Sequence, residues 1–268
     1  GGASGPGRDG RRVTIPAELL ALAEEALWQG LLVFLRIGAM VAVLPGFGAQ
    51  PVPARIRLAT ALAFTAVVAP AVPDLAEQPG DFGLYLRFLA TETLSGLALG
   101  LGVRLLALAL QTAGSIAANA TSLSQLLGGA QTEPMPAIGQ VLILGGLALA
   151  MMSGLHVRLA ELMILSYGLL PAGQFPDAAL MGGWGVERAA QAFWLAFTLA
   201  APFVILSMLY NLALGAINKA MPQLMVAFVG APVITLGGLA LLALSAPLML
   251  SVWRDALMQF LANPGGGG

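Results

Sequence analysis

Apolar residues occur along this chain in long continuous runs, neither alternating as in strands nor confined to the narrow stripe of a soluble helix. The first run extends from Ala26 to Leu44 and stops at Pro45-Gly46. The second, Leu58 to Val72, is short for a bilayer crossing and contains Pro70. The third, Phe82 to Ala118, would make roughly 55 Å of helix at about 1.5 Å per residue. That exceeds the ~30 Å hydrocarbon core of a bilayer, so this helix has to tilt, bend or project. The fourth, Ile138 to Leu170, is interrupted by the polar stretch Ser153 to Glu161 and reads as one long helix or a broken pair. Ala189 to Ile217 and Leu224 to Leu261 complete the series, each with an internal proline, Pro202 and Pro247. A proline is tolerated there when neighbours satisfy the carbonyls it frees.

Transmembrane barrel strands would show about ten residues of alternating polarity. These runs are unbroken and rich in Leu and Ala, so the expected fold is all-α: a multi-helix integral membrane protein with kinked helices. The ends differ. Residues 1–15 are expected to be a flexible N-terminal tail, which holds Arg8, Arg11 and Arg12 but has no short apolar core or cleavage site following them, so it does not read as a signal peptide. Residues 263–268, Asn263-Pro264 and four glycines, are expected to be a flexible C-terminal tail.

Composition sharpens this picture. Of 268 residues, 58% are hydrophobic and only 9% charged, and the mean hydropathy is +0.87. A soluble domain is about 25% charged, so most of this surface must face lipid or other subunits. The chain has no cysteine and a single histidine, His156, which excludes disulfides, thiolate nucleophiles and cysteine or histidine metal centres. The one lysine, Lys219, follows Asn218, so there is no Walker A loop, and no G-x-S-x-G elbow occurs. A net charge of −1 gives no footprint for nucleic acid. No cofactor is expected. Thirty-four glycines suit close helix packing, and Gly96-Leu-Ala-Leu-Gly100 matches the G-x-x-x-G pattern, although glycine is frequent enough here to produce that spacing by chance.

The charges within the runs are the candidate chemistry. Arg36 lies near the middle of the first run, where an unpaired charge costs at least ~2.5 kcal/mol on insertion scales. Glu92 is the first candidate partner and Glu161 the second, either as a structural pair or as part of a proton or substrate path. Arg104, twelve residues from Glu92, lies ~18 Å away along a helix and cannot pair with it. Arg158 and Glu161 have the spacing of a same-face pair. His156 reads as a packing or loop histidine, with proton sensing as the alternative. Arg55 and Arg57 after the first run predict a cytoplasmic loop there, whereas the N-terminal arginines argue the opposite orientation; either the N-terminal tail is not native or some runs do not cross in the ordinary way. The stretch 119–137, NATSLSQLLGGAQTEPMPA, is moderately polar and ends at Pro134 and Pro136. Its Leu123, Leu126, Leu127 and Met135, together with Glu133, suit a re-entrant loop or plug, with a surface turn as the alternative.

Several phrases occur together in order. Phe34-Leu-Arg36-Ile-Gly38, Pro45-Gly-Phe-Gly and Val52-Pro53-Ala-Arg55-Ile-Arg57 are followed by Glu92-Thr-Leu-Ser-Gly96, Gln111-Thr-Ala-Gly114 and Glu133-Pro134. Ser166-Tyr-Gly-Leu-Leu-Pro171-Ala-Gly173 and Asn211-Leu-Ala-Leu-Gly215, leading to Met221-Pro222-Gln223-Leu224, complete the set. This succession resembles the FliR family of flagellar type III secretion export-gate proteins, which are related to the injectisome gate subunits. Two positions depart from the family pattern: Gly154-Leu155-His156 in place of Gly-His-His, and Met225 in place of Asn. The resemblance implies one export-gate domain over residues 16–262, a noncatalytic subunit of the bacterial inner membrane in the flagellar basal body. It implies helical hairpins packed with FliP and FliQ in a helical hetero-oligomeric gate, contacts with FlhB and FlhA, and unfolded flagellar proteins as cargo. Hydropathy should then overcount the true crossings, and loop 119–137 would help close the channel. The rival reading, a secondary transporter for a small solute, needs Arg36, Glu92 and Arg104 at a midplane site; such transporters usually show internal repeats, and none is evident between the halves. An intramembrane enzyme has too few candidate catalytic groups.

Overall fold

A computed structural model describes residues 17–46, 52–72, 75, 80–122, 137–221 and 226–266. Among them are seven α-helices: α1 (Ala17–Val43), α2 (Ala54–Val68), α3 (Phe82–Ser122), α4 (Ala137–Met152), α5 (Leu155–Leu169), α6 (Ala178–Ala220) and α7 (Val226–Ala262). A short 3-10 turn, Ala69–Ala71, follows α2, and no strand occurs among the described residues. Five of the helices are long and apolar enough to cross a membrane. The protein is an all-α, multi-span membrane protein.

Local chemistry sets the helix ends, and several differ from the hydropathy runs, α1 starting at Ala17 where its run starts at Ala26. α2 begins four residues before its run, because Pro53 presets the backbone for a helix start and its carbonyl accepts from the Ile56 and Arg57 amides at 3.0 and 3.3 Å. α6 begins eleven residues before its run, because the Asp177 carboxylate accepts the Ala179 and Leu180 N–H groups, both at 2.9 Å. Those amides would otherwise be orphan donors of the first turn. Of the two readings of the fourth run, the broken pair forms: α4 and α5 are bent by 73°. Gly154 stands at the break with φ +82°, a left-handed conformation that glycine adopts without steric cost.

α3 is the spine, touching α1, α4, α6 and α7. Its two halves carry two tiers. In the lower tier α1 runs parallel to α3, with Gly96 against the Arg36 carbonyl and Gly100 against Met40. The G-x-x-x-G pair is therefore a contact between backbones, four residues apart on both helices. α2 folds back along α1, where the Gln29 amide donates to the Ala69 and Val72 carbonyls at 2.9 and 3.2 Å. In the upper tier Gly114 of α3 meets the backbone of Gly139 on α4, and Gly238 of α7 meets Thr121. The Trp253 indole of α7 donates to the Leu106 carbonyl of α3 at 2.7 Å. One core joins the tiers through residues such as Met40, Leu110, Leu142, Leu162, Phe203 and Trp253.

The turn after α7, which composition assigns to a tail, packs back on α6. The Trp184 indole donates to the Pro264 carbonyl at 2.7 Å, and Pro264 is buried. A half-buried indole N–H needs an acceptor, and this turn supplies one.

Candidate functional site

The most elaborate polar arrangement in the described residues is built around Arg36. It lies on the face of α1 that meets α3, and both Arg36 and Glu92 are 0% exposed. The guanidinium grips the Glu92 carboxylate with two bonds, Nε to Oε2 at 2.8 Å and Nη2 to Oε1 at 3.1 Å. Nη1 donates to the Ser166 hydroxyl at 2.9 Å, and Nη2 also donates to the Leu170 carbonyl at 2.9 Å. These four bonds occupy four of the five N–H groups of an arginine. The Tyr167 ring lies against its flat face, 3.7 Å from Cζ to the ring centroid, a cation–π contact. Ser166 in turn donates to the Met163 carbonyl at 2.6 Å.

Each partner is placed by a separate local cause. α3 offers Glu92 to α1 because Gly96, one turn on, lets the two helix backbones close; a Cβ there would strike the Arg36 carbonyl. The Leu170 carbonyl is available because Pro171 cannot continue α5, leaving the last carbonyls of that helix without intrahelical donors. The connection then turns at Gly173, φ +71°, where a Cβ would run into the Phe88 ring. One guanidinium thereby ties α1, α3, the end of α5 and the approach to α6. The bidentate fork supplies fixed geometry as well as attraction. With both charges sealed from solvent, the group is suited to holding helices in register rather than to turning over a substrate.

The other singled-out residues lie elsewhere. Glu161, the second candidate for Arg36, pairs instead with Arg158 at 2.8 Å on an open face, the two side chains 48% and 53% exposed. Arg104 is exposed and lies beside Leu44, Pro45, Gly46 and Gln111 at the end of α1. It does not join Arg36 and Glu92, so the three-residue midplane site of a transporter is not assembled. His156 is exposed at the start of α5. Leu123, Leu126, Leu127, Glu133 and Met135 lie outside the described residues. No group of three residues able to hold a metal occurs among the described ones. Reading charges alone misses Ser166, Tyr167 and the Leu170 carbonyl; the only sequence signal for them is the Ser166-to-Gly173 phrase.

Three of the recurring phrases thus converge on a single side chain. The family model for bacterial export proteins, family 1, matches residues 27–260. The chain belongs to this family. It is 36% identical over 236 residues to the flagellar biosynthetic protein FliR of Caulobacter vibrioides, covering 86% of this chain and 93% of that one. The proteins of the same name from Escherichia coli and Aquifex aeolicus are each 29% identical, over 80% and 89% of this chain and 83% and 93% of theirs. The export-family match and these relatives place the chain in flagellar biogenesis, as a membrane subunit of the protein-export apparatus. In this export-family member the matched region includes Arg36, Glu92 and the Ser166–Leu170 segment.

Proposed function

We propose that the chain is a core subunit of the flagellar type III export gate in the bacterial inner membrane. It assembles there with FliP- and FliQ-type subunits into the channel that passes unfolded flagellar proteins, and it contacts FlhB- and FlhA-type neighbours. The observation that carries this reading is the length of its uncovered apolar surface. On α6, exposed large apolar residues run from Leu180 through Trp194 and Met208 to Ile217, roughly 55 Å along a helix at about 1.5 Å per residue. Fitting that length into a ~30 Å core would need a tilt of roughly 60°, outside the range of about 0–40° for spanning helices. Part of this surface therefore needs protein rather than lipid against it. Other gate subunits supply that cover.

In this reading the 119–137 stretch lies in the channel. Its leucines and Met135 make a constriction that dewets against ions and yields to a threading chain. The Arg36 group is the fixed frame from which that stretch is presented, because Arg36 locks the helix that leads into it.

Native mass spectrometry of the detergent-extracted chain with its neighbours tests the assembly. A multi-subunit complex is the expected result; a monodisperse, fully lipid-embedded monomer that binds a small solute would overturn it. Deleting residues 123–135 within an assembled complex should make membranes leaky to small ions, and unchanged leakage with normal assembly would remove the closure role.

A further inference from the structure

The Val52-to-Arg57 phrase takes no part in the Arg36 group, yet it opens α2, which packs along α1. Between those helices lies a groove of about 510 Å³. Gly38, Ala39 and Ala42 of α1 line it, together with Arg57 and Leu58 of α2 and Thr93 of α3. A Cβ added at Gly38 would meet nothing within 4 Å. Ala42 is exposed, and Leu58 is 51% exposed. On α1 the lining runs from Phe34 to Ala42, roughly 12 Å of helix at a rise of 1.5 Å per residue, or two turns.

Two features narrow what fills it. Small side chains let helices approach closely in an apolar environment, and this chain uses them so elsewhere: Gly96 and Gly100 of α3 meet the α1 backbone, and Gly114 meets that of α4. Gly38 has no such neighbour. The second feature is Arg57. The four ion pairs among the described residues use Arg36, Arg158, Arg188 and Arg254, so Arg57 stands on a mostly apolar wall without a counter-charge. A hydrocarbon chain would cover the floor but carries no acceptor for a guanidinium, which has donors only. A helix bearing a carboxylate meets both needs.

We infer that this groove seats one helix of a neighbouring membrane subunit, whose apolar side chains fill the floor over Gly38 and whose single Asp or Glu meets Arg57. The charge-assisted bond fixes the register of the incoming helix, and the apolar filling removes exposed surface from both partners. The inference rests on the assembly proposed above and adds where a neighbour sits and which residue type it presents.

Complex yield, read by native mass spectrometry of the detergent-extracted chain with its neighbours, tests the groove against the unfolding temperature of the lone chain. Gly38→Leu projects a side chain into open space, so the lone chain should unfold as before while the yield falls about tenfold or more, the size of one lost charge-assisted contact. Arg57→Glu sets like charges face to face and should lower the yield as far; Arg57→Lys, which keeps the charge, should lose less. Arg57→Glu carries the test by itself if Gly38→Leu destabilises the lone chain, because an acid near the start of α2 suits the helix N-terminus. The chain has no cysteine, so Ala42→Cys gives a single label site, which N-ethylmaleimide should modify in the lone chain and not in the complex. Full yield in both Gly38→Leu and Arg57→Glu, equal labelling of Ala42→Cys in the two states, or a loss of phospholipid adducts from Gly38→Leu with its complex yield unchanged would each overturn the proposal. Assembly of both variants would remove the groove alone, whereas failure of the unaltered chain to assemble would remove the gate reading with it.

Discussion

The two halves of α3 solve one packing problem by different chemistry. Its lower half meets α1 at Gly96 and Gly100 and adds a buried charge pair, in which Arg36 of α1 donates to named acceptors: the Glu92 carboxylate of α3, the Ser166 hydroxyl and the Leu170 carbonyl. Its upper half meets α4 and α7 mainly through missing side chains, Gly114 on Gly139, Gly146 against Leu110 and Trp253, and Gly238 on Thr121, with the Trp253 indole as one directed bond. Hydrogen bonds to a charge fix register, because a shift of one residue breaks them and strands the charge. Glycine contacts allow close approach but tolerate sliding. In the gate assembly proposed above, the clasped half of α3 would serve as the rigid frame and the glycine-lined half as the surface that adapts to neighbours.

That contrast can be broken in order of expected effect. Arg36→Ala leaves the Glu92 carboxylate buried without its partner, a loss of about 3–5 kcal/mol. It should collapse both thermal stability in detergent and the yield of assembled complex. Glu92→Gln, which keeps the shape but strands the guanidinium, should follow the same direction with a smaller loss, and normal complex yield in both variants would remove the clasp from assembly. In the upper half, Gly114→Val drives a side chain into the α4 backbone. Overpacking of that kind costs about 1–3 kcal/mol, and the variant should lower the unfolding temperature without the near-complete assembly loss of Arg36→Ala. Trp253→Phe removes one bond to the Leu106 carbonyl and should cost about 1 kcal/mol, read as a modest drop in melting temperature. At the bottom of the scale, Arg158→Ala breaks only the open Arg158–Glu161 pair. It should shift stability by less than about 1 kcal/mol and leave assembly unchanged, showing that burial rather than charge pairing sets the larger losses.

Much of this was legible beforehand. Runs of apolar residues located every long helix because each must bury or face lipid along most of its length, and the cost of an unpaired Arg36 in mid-run called for a carboxylate partner. The helix starts were not legible from hydropathy, since α6 begins where Asp177 satisfies two amides and not where polarity changes. Nor could charge counting find Ser166, Tyr167 or the Leu170 carbonyl, because a backbone acceptor carries no residue identity. Glu161 and Arg104 were equally available as charges, and nothing in their spacing told which would remain at the surface.

By itself, then, the sequence determined that the chain is a bundle of apolar helices with a few obligatory charges, because hydrophobicity and the price of burying a charge are properties of residues. Only the tertiary structure decided which charges meet, where α3 divides into its two tiers and that Gly266, after α7, lies against Arg188. Those depend on distances between residues far apart in the chain, which only the folded packing sets.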